Sequence, residues 1–333
     1  MKKTIQIDTN SSKPKYRQLI DSVIKGIERK GFVKGDKMPS ISKLSSDFGL
    51  SRDTVMLAFN ELKSMGIVKS QPGKGYYITS TDVQFEENIF VLFDEFNSFK
   101  EDLYNSFVKS FKGKVNVDIY FHNNNLKILK KLILENAGNY TSYVIMPSMF
   151  ENIGHLLSKL PSGKVYILDR FKPEFKNYPV VYQDFEQDFY DALVEGILLL
   201  KNYRKLVFVN PEGKEYEQRA TGFSRFCEEN NFKFEIIKSL TGVRPEKREA
   251  YFVALDRDLV EIVKIAKENK YKLGKKFGIV SFNDTMLKEV AAGGITTVST
   301  DFAEMGKILA KMIIEKKCEQ IRNPSRLIIR NSL

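Results

Sequence analysis

One short stretch carries side chains whose chemistry is recognition rather than bond breaking. Ser51-Arg52-Asp53-Thr54 precedes Val55, Leu57, Ala58, Phe59 and Leu62. Those apolar positions recur at helical spacing and predict a buried face. Ser51 is then the helix cap. Ser51, Arg52 and Thr54 are left at an exposed helix N-terminus, where amides and short polar side chains meet a phosphate or a base edge. An ordinary capped helix after the turn at Gly49 carries the same signals, so the surrounding elements must decide.

The groups that catalysis and metal binding need are scarce. The chain has two histidines, His122 and His155, without partners at metal-ligand spacing, so no metal site is expected. Its two cysteines, Cys227 and Cys318, are far apart in sequence; no disulfide framework follows, and inert thiols are expected. There is no dinucleotide fingerprint, phosphate-binding Walker loop or nucleophile elbow. An enzyme with a DNA-binding head, acting on a small metabolite, is the alternative reading that these absences oppose. No cofactor is expected.

The 333 residues point to two or three domains. Hydrophobic residues make up 42%, enough for real cores, and charged residues 29%, which argues for a soluble protein. No apolar run reaches membrane-spanning length. The early lysines of "MKKTIQIDTNSSKPK" lack an apolar run behind them, so a cytoplasmic location is expected and an exported binding protein is opposed. Net charge is unevenly placed. Residues 1–80 hold 15 Lys and Arg against 7 Asp and Glu, a net +8, leaving +3 of the total +11 for the rest. A basic head on a nearly neutral body fits a polyanion-binding domain attached to something else.

The elements agree. Tyr16, Leu19, Ile20, Val23, Ile24 and Ile27 form the apolar stripe of a first helix that stops at Gly31. Ser40 caps a second helix, Ile41 to Phe48. The helix after Ser51 is the third. "GIVKSQPGKGYYITS" reads as strand, turn, strand. Three helices and a basic hairpin make a winged helix-turn-helix, with the third helix reading DNA and the hairpin as the wing.

Pro14-x-Tyr16, "KGDKMPS", "LSSDFGLSRDTVMLAFNELKSMGIV" and "PGKGYYI" together resemble the DNA-binding domain of the GntR family of bacterial transcription regulators. The resemblance implies a homodimer on a palindromic, double-stranded operator. It implies recognition-helix contacts from Ser51, Arg52 and Thr54, and a wing tip of Gly73, Lys74 and Gly75 in the minor groove. It also implies that Ser40 and Lys43 approach phosphates. Ser42 and Met56 stand where the family commonly has arginine.

After a polar link at 81–88, apolar strands alternate with helical patterns from "IFVLFDEFN" onward, and the alternation restarts after Asp184. Two doubly wound halves place a ligand at the carboxyl ends of their strands. Asp94, Phe96 and Asn97 follow the first strand, and the Phe96 ring could stack on the apolar face of a ligand. Asp169 and Arg170 end the fourth and read as a salt-bridged pair at a hinge. "YRKLVFVNPEGKEYEQRATGF", "KKFGIVSFNDTML" and "GGITTVSTDFAEMGKILAKMI" resemble the effector-binding domain of LacI-type regulators and periplasmic sugar-binding proteins.

The expected fold is thus an α+β winged helix-turn-helix head at 1–80, then an α/β two-lobed periplasmic-binding-protein-like domain at 89–333 with two doubly wound parallel sheets. Lobe 1 is expected at about 89–183 plus 301–318, and lobe 2 at about 184–300 plus 319–333. The resemblance implies that Arg219 forks onto sugar hydroxyls, as a planar guanidinium can. It places Asn283 and Asp184 at ligand, the latter equally readable as a helix cap. Asp256 ends a strand and could reach the cleft, and Asp284 is expected to cap the next helix. The expected function is a ligand-responsive repressor, not an enzyme and not a membrane protein, controlled by a neutral monosaccharide.

Overall fold

A computed structural model of the chain describes residues 5–8, 11, 13–83, 87–111, 115–211 and 214–333. The head contains α1 (Lys15–Glu28), α2 (Ile41–Phe48), α3 (Arg52–Ser64) and the hairpin of β1 (Val68–Gln71) and β2 (Gly75–Ile78). Local chemistry sets these bounds. Ser40 Oγ accepts from the Lys43 amide at 3.1 Å and Ser51 Oγ from the Thr54 amide at 3.1 Å, each satisfying an N–H that the helix itself leaves unpaired. Gly49 closes α2 at φ +62°, a conformation that costs glycine no Cβ clash. Leu19, Val23, Phe32, Val55, Phe59, Leu62 and Ile78 fill the core under the helices.

The first lobe is a six-stranded parallel sheet. Its strands are β3 (Glu87–Phe93), β4 (Val115–Phe121), β5 (Ser142–Ile145), β6 (Val165–Asp169), β7 (Val180–Tyr182) and β13 (Gln320–Arg322), in the order β13-β7-β6-β5-β3-β4. Its connecting helices are α4 (Ser98–Ser110), α5 (Leu126–Asn136) and α6 (Gly154–Leu157). Residues 88–93 of β3 are all buried, as expected for a strand covered on both faces.

The second lobe holds α7 (Phe185–Glu195), α8 (Ile197–Leu200), β8 (Lys205–Val209), α9 (Lys214–Glu229), β9 (Phe234–Ile237) and β10 (Glu249–Val253). It continues through α10 (Asp256–Glu268), β11 (Gly278–Phe282), α11 (Met286–Val290) and β12 (Thr296–Thr300). The chain then returns through α12 (Phe302–Glu315), which packs on α4 in the first lobe, and ends with β13 and β14 (Ser325–Ile328). The sheet order is β14-β12-β11-β10-β8-β9, parallel except for the edge strand β14. Two glycines permit close helix packing. A Cβ on Gly222 would stand 2.1 Å from the Glu186 carbonyl oxygen of α7, and one on Gly306 would stand 2.4 Å from that of Leu103 in α4.

Three crossovers join the lobes, and Asn323 ties them together. It is 1% exposed. Its amide donates to the Tyr182 carbonyl at 2.7 Å, and its Nδ2 to the Asp301 carbonyl at 2.9 Å. Two sequence boundaries need correction. Residues 320–322 pair with β7, so the third crossover lies at 323–324 and this strand belongs to lobe 1, not lobe 2. The link at 81–88 is shorter, because Glu87 and Asn88 already pair with Val115 and Asn116 in the sheet. Residues 84–86 of that link lie outside the described residues.

Candidate functional site

The third helix buries Val55, Ala58, Phe59 and Leu62 and leaves Arg52, Asp53, Met56 and Asn60 exposed, with the cap Ser51; Leu57, expected on the buried face, is exposed instead. Ser51 and Thr54 are committed to each other, with hydroxyl oxygens 2.8 Å apart besides the cap bond. Arg52 has no hydrogen-bonding or ionic partner among the described residues, so its five donors stay available. Asn60, which the sequence reading did not single out, is likewise unpartnered. The signal was its spacing, eight residues after Arg52 on the same helix face. Gly73, Lys74 and Gly75 form the hairpin tip, with the Lys74 amide donating to the Gln71 carbonyl at 3.0 Å and both glycines at positive φ. Ser40 is spent as a cap, and Lys43 Nζ lies 3.7 Å from Asp47 in an exposed pair.

The carboxyl ends of both parallel sheets converge beside the crossovers. A cleft of about 420 Å³ there is lined by Glu151, Arg170, Phe171, Lys172, Asp184 and Phe185, among others. A narrow recess adjoins it, sharing Gln183 and Phe185 and adding Arg219, Phe282 and Asn283. The structure thus gathers Asp184, Arg219 and Asn283. Asp184 also caps α7, accepting from the Gln187 amide at 3.1 Å. Arg219 is 6% exposed, with its guanidinium 4.8 Å from the Phe185 ring centroid and 4.6 Å from that of Phe282. Arg170 approaches the same Phe185 ring at 4.6 Å. Cation–π packing of this kind fixes the plane of a guanidinium.

The backbone is strained where these groups sit. Ser148, Asp169 and Asn283 all have positive φ, at 51°, 78° and 60°, near or at the carboxyl ends of β5, β6 and β11. Such conformations persist where the surroundings over-determine them and cluster at binding sites. Burial pushes the Asp169 carboxyl up from its usual range, Arg170 opposing and Asp94 reinforcing the shift. Gln183 bridges two crossovers, donating to Asp169 Oδ1 and accepting from Thr300 Oγ1, both at 2.5 Å.

Other expected site residues have different surroundings. Asp94 is ion-paired with the buried Lys100. Asn97 caps α4, accepting from the Lys100 amide at 3.2 Å. Phe96 is 66% exposed and edge-on to Phe121. Asp256 lines neither recess; its carboxylate meets Lys288 Nζ at 2.9 Å. Asp284 is not the cap of α11, a role taken by Thr285. It accepts two bonds from Arg330 instead, at 2.6 and 2.8 Å. His122 is fully buried and donates through Nε2 to the Met146 carbonyl at 3.0 Å. Burial lowers its pKa, so the ring is neutral and Nδ1 is an acceptor. Among the described residues no group of three or more His, Cys, Asp or Glu could hold a metal ion, and no helix is long and apolar enough to cross a membrane.

Comparison with known proteins matches two parts of the chain. Residues 15–78 match the family of bacterial regulatory proteins, gntR family, and residues 197–333 match a periplasmic binding protein-like domain. The transcriptional repressor YtrA of Bacillus subtilis (strain 168) is 41% identical over 76 residues, 22% of this chain and 58% of that protein. The mannosyl-D-glycerate transport/metabolism system repressor MngR of Escherichia coli (strain K12) is 36% identical over 83 residues, 25% of this chain and 35% of that one. The chain therefore spans between about a third and three fifths of these relatives. Among solved structures, the transcriptional repressor ascG of Escherichia coli aligns with a TM-score of 0.59 at 12% identity, covering 74% of this chain and 99% of its own. A periplasmic binding protein/LacI transcriptional regulator from Alkaliphilus metalliredigens QYMF, complexed with D-xylulofuranose, gives 0.58 at 14% over 74% and 98%. A LacI family regulator from Enterococcus faecalis V583 with bound ribose gives 0.57 at 19% over 74% and 98%. These relatives and neighbours are transcription regulators, not enzymes.

Proposed function

We propose that this chain, which joins a gntR-family head to a periplasmic-binding-protein-like body, is a ligand-responsive transcription regulator and acts as a repressor in the cytoplasm. It binds a palindromic operator as a homodimer, with α3 in the major groove and the hairpin tip at the minor groove. A neutral monosaccharide binds between the lobes. Ligand shifts the protein between states with different operator affinity by binding one lobe arrangement better than the other.

One observation carries the reading: an uncommitted arginine at the start of an exposed helix in a +8 head, in the same chain as a hinge cleft with a buried, aromatic-packed arginine. The cleft mixes Arg170 and Lys172 with Glu151 and Asp184. A lining with charges of both signs suits hydroxyls, which donate and accept, better than a phosphate. Two solved neighbours hold a pentose, which supports the ligand class. A thermal-shift screen of neutral sugars and their phosphates on the full chain tests the cleft. A sugar at a hundred times its Kd adds roughly 2.7 kcal/mol. A phosphorylated sugar stabilising far more than its parent would overturn the neutral-ligand assignment.

A further inference from the structure

The exposed face of α3 is not uniformly polar. Arg52, Met56 and Asn60 follow one another at four-residue steps, which drift only about 40° each around a helix and rise about 6 Å. They form one exposed ridge, flanked by the buried Val55 and Phe59 and backed by Ala58. The ridge therefore presents a forked cation, a thioether and an amide in sequence. Met56 is 39% exposed, an apolar side chain in the middle of the face a basic head would turn toward DNA.

Met56 is also held in place. The Tyr76 hydroxyl of the hairpin donates to its sulfur at 3.8 Å. The Tyr76 ring packs on Phe59 of α3, with centroids 4.6 Å apart. An unbranched, flexible side chain is thus tethered between the helix and the wing.

In the major groove, guanine, adenine and cytosine present polar edges, and thymine alone adds a methyl group. Arginine suits guanine and asparagine suits adenine, both through two hydrogen bonds. A thioether offers a base edge only a weak acceptor and an apolar surface, and among the base edges the thymine methyl matches that surface best. Resting on the DNA-binding reading above, we infer that Met56 reads the 5-methyl group of a thymine in each operator half-site. That thymine lies between the base read by Arg52 and the base read by Asn60. The side chain fixes sequence without adding charge, so it contributes nothing to the salt dependence.

The test starts from random-sequence duplexes selected on the full-length chain. Each thymine of the selected site is then replaced singly by deoxyuridine, which removes only the methyl. At one thymine per half-site the affinity should fall about fourfold, the value of one methyl-sized apolar contact. In Met56→Ala, which leaves the Tyr76–Phe59 packing of the wing on α3 in place, the same replacement should have no effect. Selection on Met56→Arg should replace that thymine by guanine. Equal sensitivity to deoxyuridine in the parent and in Met56→Ala overturns the assignment, as does a parent site at which no thymine methyl matters. Failure of the parent to select any duplex would remove the DNA-binding reading itself, and this inference with it.

Discussion

The side-chain amide of Asn88, in the first strand of lobe 1, donates to the main-chain carbonyl of Ser64, in the last turn of α3, at 2.8 Å. Asn88 is buried, and its Oδ1 accepts from Asn116 Nδ2 at 2.7 Å. Beside it, Lys164 Nζ meets Glu61 Oε2 at 3.0 Å. The end of the recognition helix is thus bonded to the opposite end of the lobe 1 sheet from the cleft. Asn88→Ala should leave the buried Ser64 carbonyl unpaired, a loss of about 1–3 kcal/mol, whereas the exposed Asn116 amide can turn to water. The expected outcome is a lower melting temperature for the head, seen as an early transition in calorimetry. A single transition unchanged from the parent would show that this contact does not join the two units.

Arg52→Ala should weaken specific operator binding by about 1–3 kcal/mol, the value of a good bidentate base contact. The side chain is exposed and makes no internal bond among the described residues, so the melting temperature should not move. Gel-shift titration at fixed salt decides it.

Lys74→Ala at the hairpin tip should behave differently. A phosphate contact carries no sequence information, so all duplexes should weaken about equally. The slope of log K against log salt should flatten by about 1. A loss confined to one base position would assign Lys74 to base reading instead.

Asp188 bridges the lobes, accepting from Arg322 Nε and Nη2 of β13 at 2.8 and 2.6 Å. Burial dominates over this partner and pushes its carboxyl up to about 6. The folded state therefore holds a proton that the unfolded chain, at about 4, has released. Stability contributed by Asp188 is then greatest below about pH 4 and falls as pH rises towards 6. Asp188→Asn keeps the shape and removes the titration, so urea midpoints across this window should fall less steeply with pH than in the parent. An identical profile would place the titration elsewhere.

Much of this was legible in the sequence because it is local. Ser40, Gly49 and Ser51 mark helix ends through bonds within four residues, and the buried strands announce themselves as apolar runs. The rest depends on distant partners. Asp284 looks like a cap until Arg330, 46 residues later, takes its carboxylate. Residues 320–322 read as part of lobe 2 until β7 pairs with them. Asp94 looks available until the buried Lys100 neutralises it. Asn60 was within reach of a local reading, since counting helical steps from Arg52 finds it.

Arg219 offers the sharpest test of the cleft. Its guanidinium is packed by Phe185 and Phe282, and it shares a recess with Asn283 at the crossovers. Charge-assisted hydrogen bonds to sugar hydroxyls contribute about 1.5–3 kcal/mol each, so Arg219→Ala should weaken the cognate sugar at least roughly tenfold to a hundredfold. Operator affinity without sugar should stay at the parent value, because the head has its own core. Lys substitution should not rescue binding, since an ammonium cannot fork onto two oxygens in one plane. Calorimetry of the full chain with the sugar found by thermal shift measures this directly. If Arg219→Ala binds that sugar as tightly as the parent, the ligand does not sit against Arg219 and the cleft assignment is wrong.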